Sequence, residues 1–145
     1  MSTQNPTTPH VLFVCVKNGG KSQMAAALMR HAAGDAVEAA SAGTKPGGAL
    51  NQASAASVAE IRASMEGEQP RQLTDDMLRA ADRVVIIGTE AQVEPVEGQT
   101  APIEVWDTDE PSERGIEGAE RMRLVRDDID TRVHALLTEL NQASN

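Results

Sequence analysis

The sequence predicts an α/β domain with three layers, αβα, in which helices cover both faces of a four-stranded, mostly parallel sheet. Short apolar runs alternate along the chain with longer segments of helical spacing. Two runs are continuously apolar, as expected of strands buried on both faces of a parallel sheet: V-L-F-V at 11–14 and V-V-I-I at 84–87. Because no repeat divides the chain, we expect a single domain over residues 10–145, preceded by a polar, flexible tail at 1–9.

The first half of the chain is predicted to hold a strand, a helix, a strand and a helix, over residues 11–14, 22–33, 37–41 and 51–65. Met24, Leu28 and His31 give the first helix its spacing, and Gly34 follows where a helix would end. The second helix is rich in alanine and carries only a thin apolar stripe.

The second half is predicted to hold a short helix, two strands and a long final helix, over residues 75–81, 84–87, 103–106 and from about 119 onward. Thr74 is expected to cap the short helix. The final helix has apolar residues every three or four positions: Met122, Val125, Ile129, Val133, Leu136 and Leu140. Ligands bind such sheets at the carboxyl ends of the strands, so the loops after Val14, Ile87 and Trp106 are expected to converge.

Composition argues against several classes of protein. A formal net charge of −9 opposes broad contact with nucleic acid or with an anionic membrane surface. No apolar stretch approaches the ~18 residues of a membrane span, and the first residues do not resemble a signal peptide, so a cytoplasmic protein is expected. With one cysteine and three scattered histidines, neither an internal disulfide nor a metal site is expected.

The segment C-V-K-N-G-G-K-S at 15–22 joins the first strand to the first helix. A loop in this place directs backbone N–H groups and the positive end of the helix dipole toward an anion. Gly19 and Gly20 are expected to let the backbone curl into a nest, and Lys21 adds a full charge. We therefore expect Cys15 to be a thiolate nucleophile at the bottom of an oxyanion cradle. The alternative is an inert thiol at a strand end.

The other residues of this loop have expected roles in binding the anion. Ser22 is expected to donate its hydroxyl to the thiolate, and Asn18 to fix the shape of the loop. Lys17 is either a second attractor for the anion or a solvated charge. The oxyanion is expected to bind on the residues that follow the cysteine: Val16, Lys17, Asn18, Gly19, Gly20, Lys21 and Ser22.

The pattern C-x-x-N-x-x-[RK]-S after an apolar strand resembles the active-site loop of the low-molecular-weight protein tyrosine phosphatases and of the related thiol-dependent arsenate reductases. The stretches K-S-Q-M-A at 21–25 and S-A-G at 41–43 are closer to the arsenate reductases, and the match extends through W-D-T-D-E-P at 106–111. The resemblance implies that Cys15 is the nucleophile and that Lys21 replaces the usual arginine.

The family's acid loop usually places Asp immediately before Pro, whereas this chain has Glu110 there and Asp109 one residue earlier. The resemblance implies that one carboxylic acid protonates the leaving oxygen. Asp109 is favoured because its shorter side chain holds a proton in a better-defined place, and Glu110 is the alternative. A third interpretation is that both carboxylates are solvated. Trp106, beside this loop, either lines the mouth of the pocket or, more commonly, packs.

Arsenate reductases that run on thioredoxin use two further cysteines of their own, and this chain has none. Gly20 stands where cysteine is common, and I-I-G-T-E-A at 86–91 lacks the cysteine of the three-cysteine relatives. Single-cysteine actinobacterial members are arsenate–mycothiol transferases. The resemblance therefore implies transfer of arsenate to mycothiol as co-substrate, later reduction by a mycoredoxin, and no bound cofactor.

Two other interpretations remain open. One is a phosphatase for phosphotyrosine or small phosphomonoesters, which is weakened because Ser112, Glu113 and Arg114 stand where phosphatases usually carry aromatic residues. Lys21 also lacks the planar grip of a guanidinium on an oxyanion. The other interpretation is a non-catalytic oxyanion-binding module, with which Lys21 and the altered acid motif are consistent.

Overall fold

The structure, a computed structural model, describes residues 8–143 and contains a four-stranded sheet of strand order β2-β1-β3-β4. The strands are β1 (His10–Cys15), β2 (Glu38–Gly43), β3 (Arg83–Ile87) and β4 (Ile103–Trp106). The helices are α1 (Lys21–Ala33), α2 (Gln52–Ala59), α3 (Asp75–Ala80) and α4 (Gly118–Ala143). Every strand pair is parallel, which confirms the predicted fold class. Residues 1–7 of the predicted tail lie outside the described residues.

The sheet separates two apolar clusters, because successive side chains of a strand point to opposite faces. Val11 and Phe13 of β1 pack in the larger cluster with α1, α2 and α4. Leu12 and Val14 pack in the smaller cluster with Leu78 of α3. Each of these β1 side chains is no more than 3% exposed. The three-layer arrangement therefore follows from one strand whose two faces are both buried.

Helix α1 begins directly after the loop that follows β1, and the Met24 N–H donates to the Gly20 carbonyl at 2.9 Å. Its small residues Ala25 to Ala27 are at most 1% exposed, which lets the helix lie close to the sheet. The helix ends at Gly34, whose φ of 57° is a conformation that glycine adopts without a steric penalty. The predicted stop at Gly34 is confirmed.

Helix α2 is shorter than predicted, because it ends at Ala59 instead of continuing to Met65. The Ala63 N–H donates to the Val58 carbonyl at 3.0 Å, and Arg62 has a φ of 72°. Such a turn satisfies terminal carbonyls and stops the helix. Met65 is nevertheless 2% exposed, because the chain folds back after the turn and buries this side chain in the same core.

Three other predictions along the second half are confirmed. Thr74 caps α3, since its Oγ1 accepts from the Met77 N–H at 3.2 Å, and β4 has the predicted bounds. Five of the six apolar residues predicted for the final helix are buried, and Met122 is partly buried against them. The predicted loop after Trp106 contains a short 3-10 turn at Pro111–Arg114.

Within residues 8–143, no helix has the length and apolar character needed to cross a membrane.

Arg126 joins α4 to α2 in a largely buried place. Its Nη1 donates to the Ser57 carbonyl at 2.9 Å and to Glu60 Oε1 at 2.8 Å. Arg123 pairs with the same carboxylate, since its Nη2 lies 2.7 Å from Glu60 Oε2. The side chains differ in exposure, which is 10% for Arg126 and 51% for Arg123. Removing one partner of a buried ion pair lowers the free energy of unfolding more than removing one partner of an ion pair at the surface.

We therefore predict that Arg126→Ala lowers the free energy of unfolding by about 2 kcal/mol, because it leaves the Ser57 carbonyl without its donor. Arg123→Ala is the matched control and is expected to lower the free energy of unfolding much less, because its side chain is largely exposed. Urea denaturation followed by circular dichroism measures both. Equal losses for the two variants would contradict the assignment of Arg126 as the tie between the helices.

Candidate active site

Cys15 is the last residue of β1, and its thiol lies among hydrogen-bond donors of the following loop. Its Sγ lies 2.8 Å from the Oγ of Ser22, in the first turn of α1. The Asn18 N–H donates to the same sulfur at 3.2 Å. The sulfur therefore has a hydroxyl and a backbone N–H within hydrogen-bonding distance. The structure therefore brings Cys15, Asn18 and Ser22 together.

Asn18 directs the Ser22 hydroxyl toward the sulfur. Its Nδ2 donates to Ser22 Oγ at 2.8 Å, so the serine oxygen acts there as an acceptor. A hydroxyl has a single hydrogen, which then remains available for Cys15. Both Asn18 and Ser22 are fully buried, so water does not compete for these bonds.

The Asn18 oxygen ties the loop to a distant segment of the chain. Oδ1 accepts from Gln23 Nε2 at 3.2 Å and from the Arg71 N–H at 3.0 Å. Gln23 Nε2 also donates to the Gln69 carbonyl at 3.2 Å. These contacts were not predicted, because no local sequence pattern relates residues 69–71 to a loop some fifty positions earlier.

The loop curls at Asn18 and not at the glycines, which corrects the expected roles of Gly19 and Gly20. Asn18 has a φ of 54°, in the left-handed region, whereas neither glycine has a positive φ. Gly19 is required for space, because a Cβ there would lie 2.9 Å from the Ala49 carbonyl oxygen. A Cβ at Gly20 would make an ordinary contact, at 3.4 Å from Ser54 Oγ. Asparagine tolerates the left-handed region better than most residues.

A cleft of about 580 Å³ opens where the loops after β1, β3 and β4 meet, which confirms the predicted convergence. Cys15, Val16, Lys17 and Lys21 of the first loop line this cleft, while Asn18, Gly19 and Ser22 of the same segment are buried. Its other walls come from two loops: Ile87, Gly88, Thr89, Glu90, Ala91, Asp107, Thr108, Asp109, Glu110 and Glu113. The volume is in the usual range for a small-molecule site.

Glu110, one of the two candidate acids, is bound on both carboxylate oxygens. Arg121 donates Nε to Oε2 and Nη2 to Oε1, each at 2.9 Å. The Ser112 hydroxyl donates to Oε2 at 2.8 Å, and Lys21 Nζ lies 3.6 Å from Oε1. These bonds, chiefly those from Arg121, lower the pKa of Glu110 to about 2 against the opposing effect of burial.

Asp109, the favoured candidate acid, is also paired with an arginine. Arg114 Nη1 and Nη2 donate to its two oxygens at 2.7 and 3.1 Å, and these hydrogen bonds lower the pKa of Asp109. Its own N–H donates to Asp128 Oδ2 at 2.7 Å. Both carboxylates are therefore held as anions. The clamping arginines were missed in the sequence, where nothing marks Arg121 as a partner of Glu110.

The remaining polar and aromatic candidates are placed as follows. Trp106 is 6% exposed and packs on Phe13 with ring centroids 5.7 Å apart, so it is a core residue. Lys17 is exposed and lines the cleft. Within residues 8–143, no group of three or more His, Cys, Asp or Glu side chains has an arrangement that could hold a metal ion.

Thr108 is a buried polar residue in the wall of the cleft. It is 8% exposed, and its Oγ1 has no hydrogen-bond partner among residues 8–143. A buried hydroxyl without a partner costs about 1–3 kcal/mol relative to a satisfied one. This residue was not singled out from the sequence.

We predict that Thr108→Val raises the free energy of unfolding by about 1 kcal/mol, because a methyl group of similar size replaces the unsatisfied hydroxyl. Thr108→Ser, which keeps the hydroxyl and loses the methyl group, is expected to lower it. Thermal denaturation compares the three proteins. A Val variant that is less stable than wild type would show that the hydroxyl has a partner in solution.

Comparison with known protein families and sequences supports this geometry. The sequence profile of the low molecular weight phosphotyrosine protein phosphatases matches residues 10–145. A protein of Halobacterium salinarum, provisionally named an arsenate reductase, is 30% identical over 134 residues, which cover 89% of this chain and 91% of that protein.

Solved structures show the same fold. The thioredoxin-dependent arsenate reductase of Corynebacterium glutamicum is 29% identical, with a TM-score of 0.79 over 97% of this chain. This chain spans 65% of that longer protein. An arsenate reductase of Archaeoglobus fulgidus is 29% identical, with a TM-score of 0.68 over 88% of this chain and 98% of that one. Since the family profile covers nearly the whole sequence, the chain belongs to the low molecular weight phosphotyrosine protein phosphatase family.

Proposed function

We propose that the chain is an arsenate reductase that binds arsenate in the loop after Cys15 and promotes its transfer to mycothiol, for later reduction to arsenite by a mycoredoxin. The observation that carries the proposal is the Cys15 thiol, which contacts the Ser22 hydroxyl and the Asn18 N–H and lines a cleft of small-molecule size. The relatives named as arsenate reductases, from three organisms, support the choice of substrate.

The first step is a substitution at arsenic. The Cys15 thiolate attacks As(V), an S–As bond forms, and one As–O bond breaks. The departing oxygen leaves as water, with protons from the hydroxyl groups of arsenate and from solvent. Lys21 and the N–H groups at the start of α1 stabilise the remaining oxygens, because those N–H groups have no acceptor within the helix.

The state of the acid loop favours arsenate over a phosphate ester. Arg114 and Arg121 hold Asp109 and Glu110 as anions, so neither carboxylate carries a proton near neutral pH. The alkoxide that leaves a phosphomonoester has no proton of its own and needs an acid beside it. Arsenate brings its own hydroxyl groups. The reaction at arsenic therefore depends less on a protonated side chain.

An external thiol is needed because the chain has one cysteine and no second one to close a disulfide. In the proposed second step the mycothiol sulfur bonds to arsenic and Cys15 leaves as the thiolate. A mycoredoxin thiolate then attacks the mycothiol sulfur, and the electron pair of the S–As bond passes to arsenic, which becomes arsenite. We propose that these reaction steps need no bound cofactor and take place in the cytoplasm, where low-molecular-weight thiols are kept reduced.

A phosphatase is the second candidate, because the matching family is described as phosphotyrosine phosphatases. Lys21 argues against efficient phosphoryl transfer. A guanidinium can bond two equatorial oxygens of the transition state, whereas an ammonium is a point charge. The loss of one such donor commonly costs ~10²–10³ in rate.

We predict that arsenate turnover requires mycothiol with mycoredoxin, and that thioredoxin with its reductase gives none as the only thiol source. Cys15→Ser is expected to abolish turnover, because the hydroxyl is a far weaker nucleophile. The rate of NADPH consumption is measured with each of these thiol systems, and with glutathione plus glutaredoxin for comparison. Robust reduction with thioredoxin alone would contradict the thiol assignment. Stoichiometric oxyanion binding without turnover in any system would select the non-catalytic module.

We also predict that Lys21→Arg raises hydrolysis of an aryl phosphate by more than it raises arsenate turnover, because only the phosphoryl transition state gains a two-pronged donor. Steady-state kinetics of both reactions on both proteins gives the ratio. If wild type already hydrolyses aryl phosphate as fast as it turns over arsenate, the preference for arsenate is wrong. If Lys21→Arg leaves the ratio of aryl phosphate hydrolysis to arsenate turnover unchanged, the preference for arsenate is wrong as well.

A further inference from the structure

Glu110 occupies the position of the family's usual acid, but its surroundings suit another task. Five contacts reach its carboxylate: two from Arg121, two from Ser112 and one from Lys21. A carboxylate has about four lone-pair sites, so Glu110 has little remaining capacity to accept a hydrogen bond from a substrate. Its side chain is 27% exposed, and the bidentate arginine fixes its orientation.

Proton donation is a poor role for such a group. A donor works best when its pKa lies near the operating pH. At pH 7 a carboxyl with a pKa of about 2 is protonated in roughly one molecule in 10⁵. The contacts that lower this pKa would also have to break before a proton moved.

The contact between Glu110 and Lys21 points to a different role for the carboxylate, which is to orient the ammonium group. A lysine has a flexible four-carbon stem and no planar head group, so its ammonium is not aligned by its own shape. Glu110 Oε1 lies 3.6 Å from Lys21 Nζ and holds that ammonium at the wall of the cleft. An ammonium has three N–H donors, so one can face Glu110 while the others face an anion.

Arg121 keeps this arrangement favourable for an anion. Glu110 alone would neutralise Lys21, and the loop would lose the charge that attracts the oxyanion. The two hydrogen bonds from Arg121 offset the charge of Glu110, so the group of three carries one net positive charge. We propose that Glu110 is a positioning residue that holds Lys21 over the oxyanion loop, with Arg121 as its clamp, and that it is not the proton donor. The assignment rests on the proposed function of the loop as an oxyanion site.

The test uses inorganic phosphate as the probe and isothermal titration calorimetry as the measurement. Glu110→Asp keeps a carboxylic acid, and restores the residue usual before Pro, but shortens the reach to Lys21. We expect it to weaken phosphate binding by about tenfold, because Lys21 then loses more rotamer freedom on binding. Arg121→Gln is expected to weaken it as well, since the charge of Glu110 is no longer offset. Glu94→Asp, the same shortening at an exposed site that does not line the cleft, is expected to leave it within about twofold.

The kinetic readout separates positioning from proton donation. With arsenate, Glu110→Asp is expected to raise KM and leave kcat and its pH profile close to those of wild type. Phosphate binding by this variant that equals or exceeds that of wild type would overturn the proposal. A fall in kcat with a shifted pH profile and an unchanged KM would also overturn it. If phosphate affinity responds as expected but arsenate is not turned over, the proposed function fails and the role of Glu110 stands. If wild type binds no phosphate, both fail.

Discussion

The hydrogen bond from the Arg71 N–H to Asn18 Oδ1 sets the direction of the side-chain hydrogen bonds around the thiol. A backbone N–H can only donate, so the oxygen of the Asn18 amide must face it and the nitrogen must face Ser22. The Asn18 nitrogen then donates to Ser22, and the serine hydrogen remains for Cys15. The reverse orientation would place the Asn18 NH₂ group against the Arg71 N–H, so that two donors faced each other. One fixed donor thus determines whether the Ser22 hydroxyl is free to donate to the Cys15 sulfur.

The sheet delivers that donor to the loop. The segment around Gln72 pairs with the end of β2, where the Gly43 N–H donates to the Arg71 carbonyl and the Leu73 N–H donates to Gly43, each at 2.9 Å. Gly43 allows the approach, because a Cβ there would lie 2.5 Å from the Val16 carbonyl oxygen. The S-A-G motif therefore has a packing cause. Its glycine lets β2, the loop after β1 and the 71–73 segment meet at one edge of the sheet.

Local pattern predicted most of the fold, because its strands and helices are marked by their own residues. The apolar runs at β1 and β3, the cap at Thr74 and the stripe of α4 each depend on neighbours in sequence. The end of α2 was missed because a non-glycine residue, Arg62, adopts the left-handed conformation there. Arg121 was missed because its contact with Glu110 crosses from the start of α4 to the acid loop. The sequence therefore pointed to the loop that brings Cys15, Asn18 and Ser22 together, and it left the surroundings of the two candidate acids undetermined.

The proposed anion site lies in a protein whose formal net charge is −9, so the charges that line the cleft matter. Five carboxylates and two lysines line this cleft. Arg114 and Arg121 offset the two carboxylates of the acid loop, which leaves Lys17 and Lys21 to attract an anion toward Cys15. Glu90, Asp107 and Glu113 are the other carboxylates of the lining, and all three are exposed. A large polyanionic partner would place like charges against these exposed carboxylates, whereas a small oxyanion needs only the space beside Cys15 and the two lysines. The charges of the lining therefore suit the proposed substrate, a small anion, better than a phosphorylated protein surface.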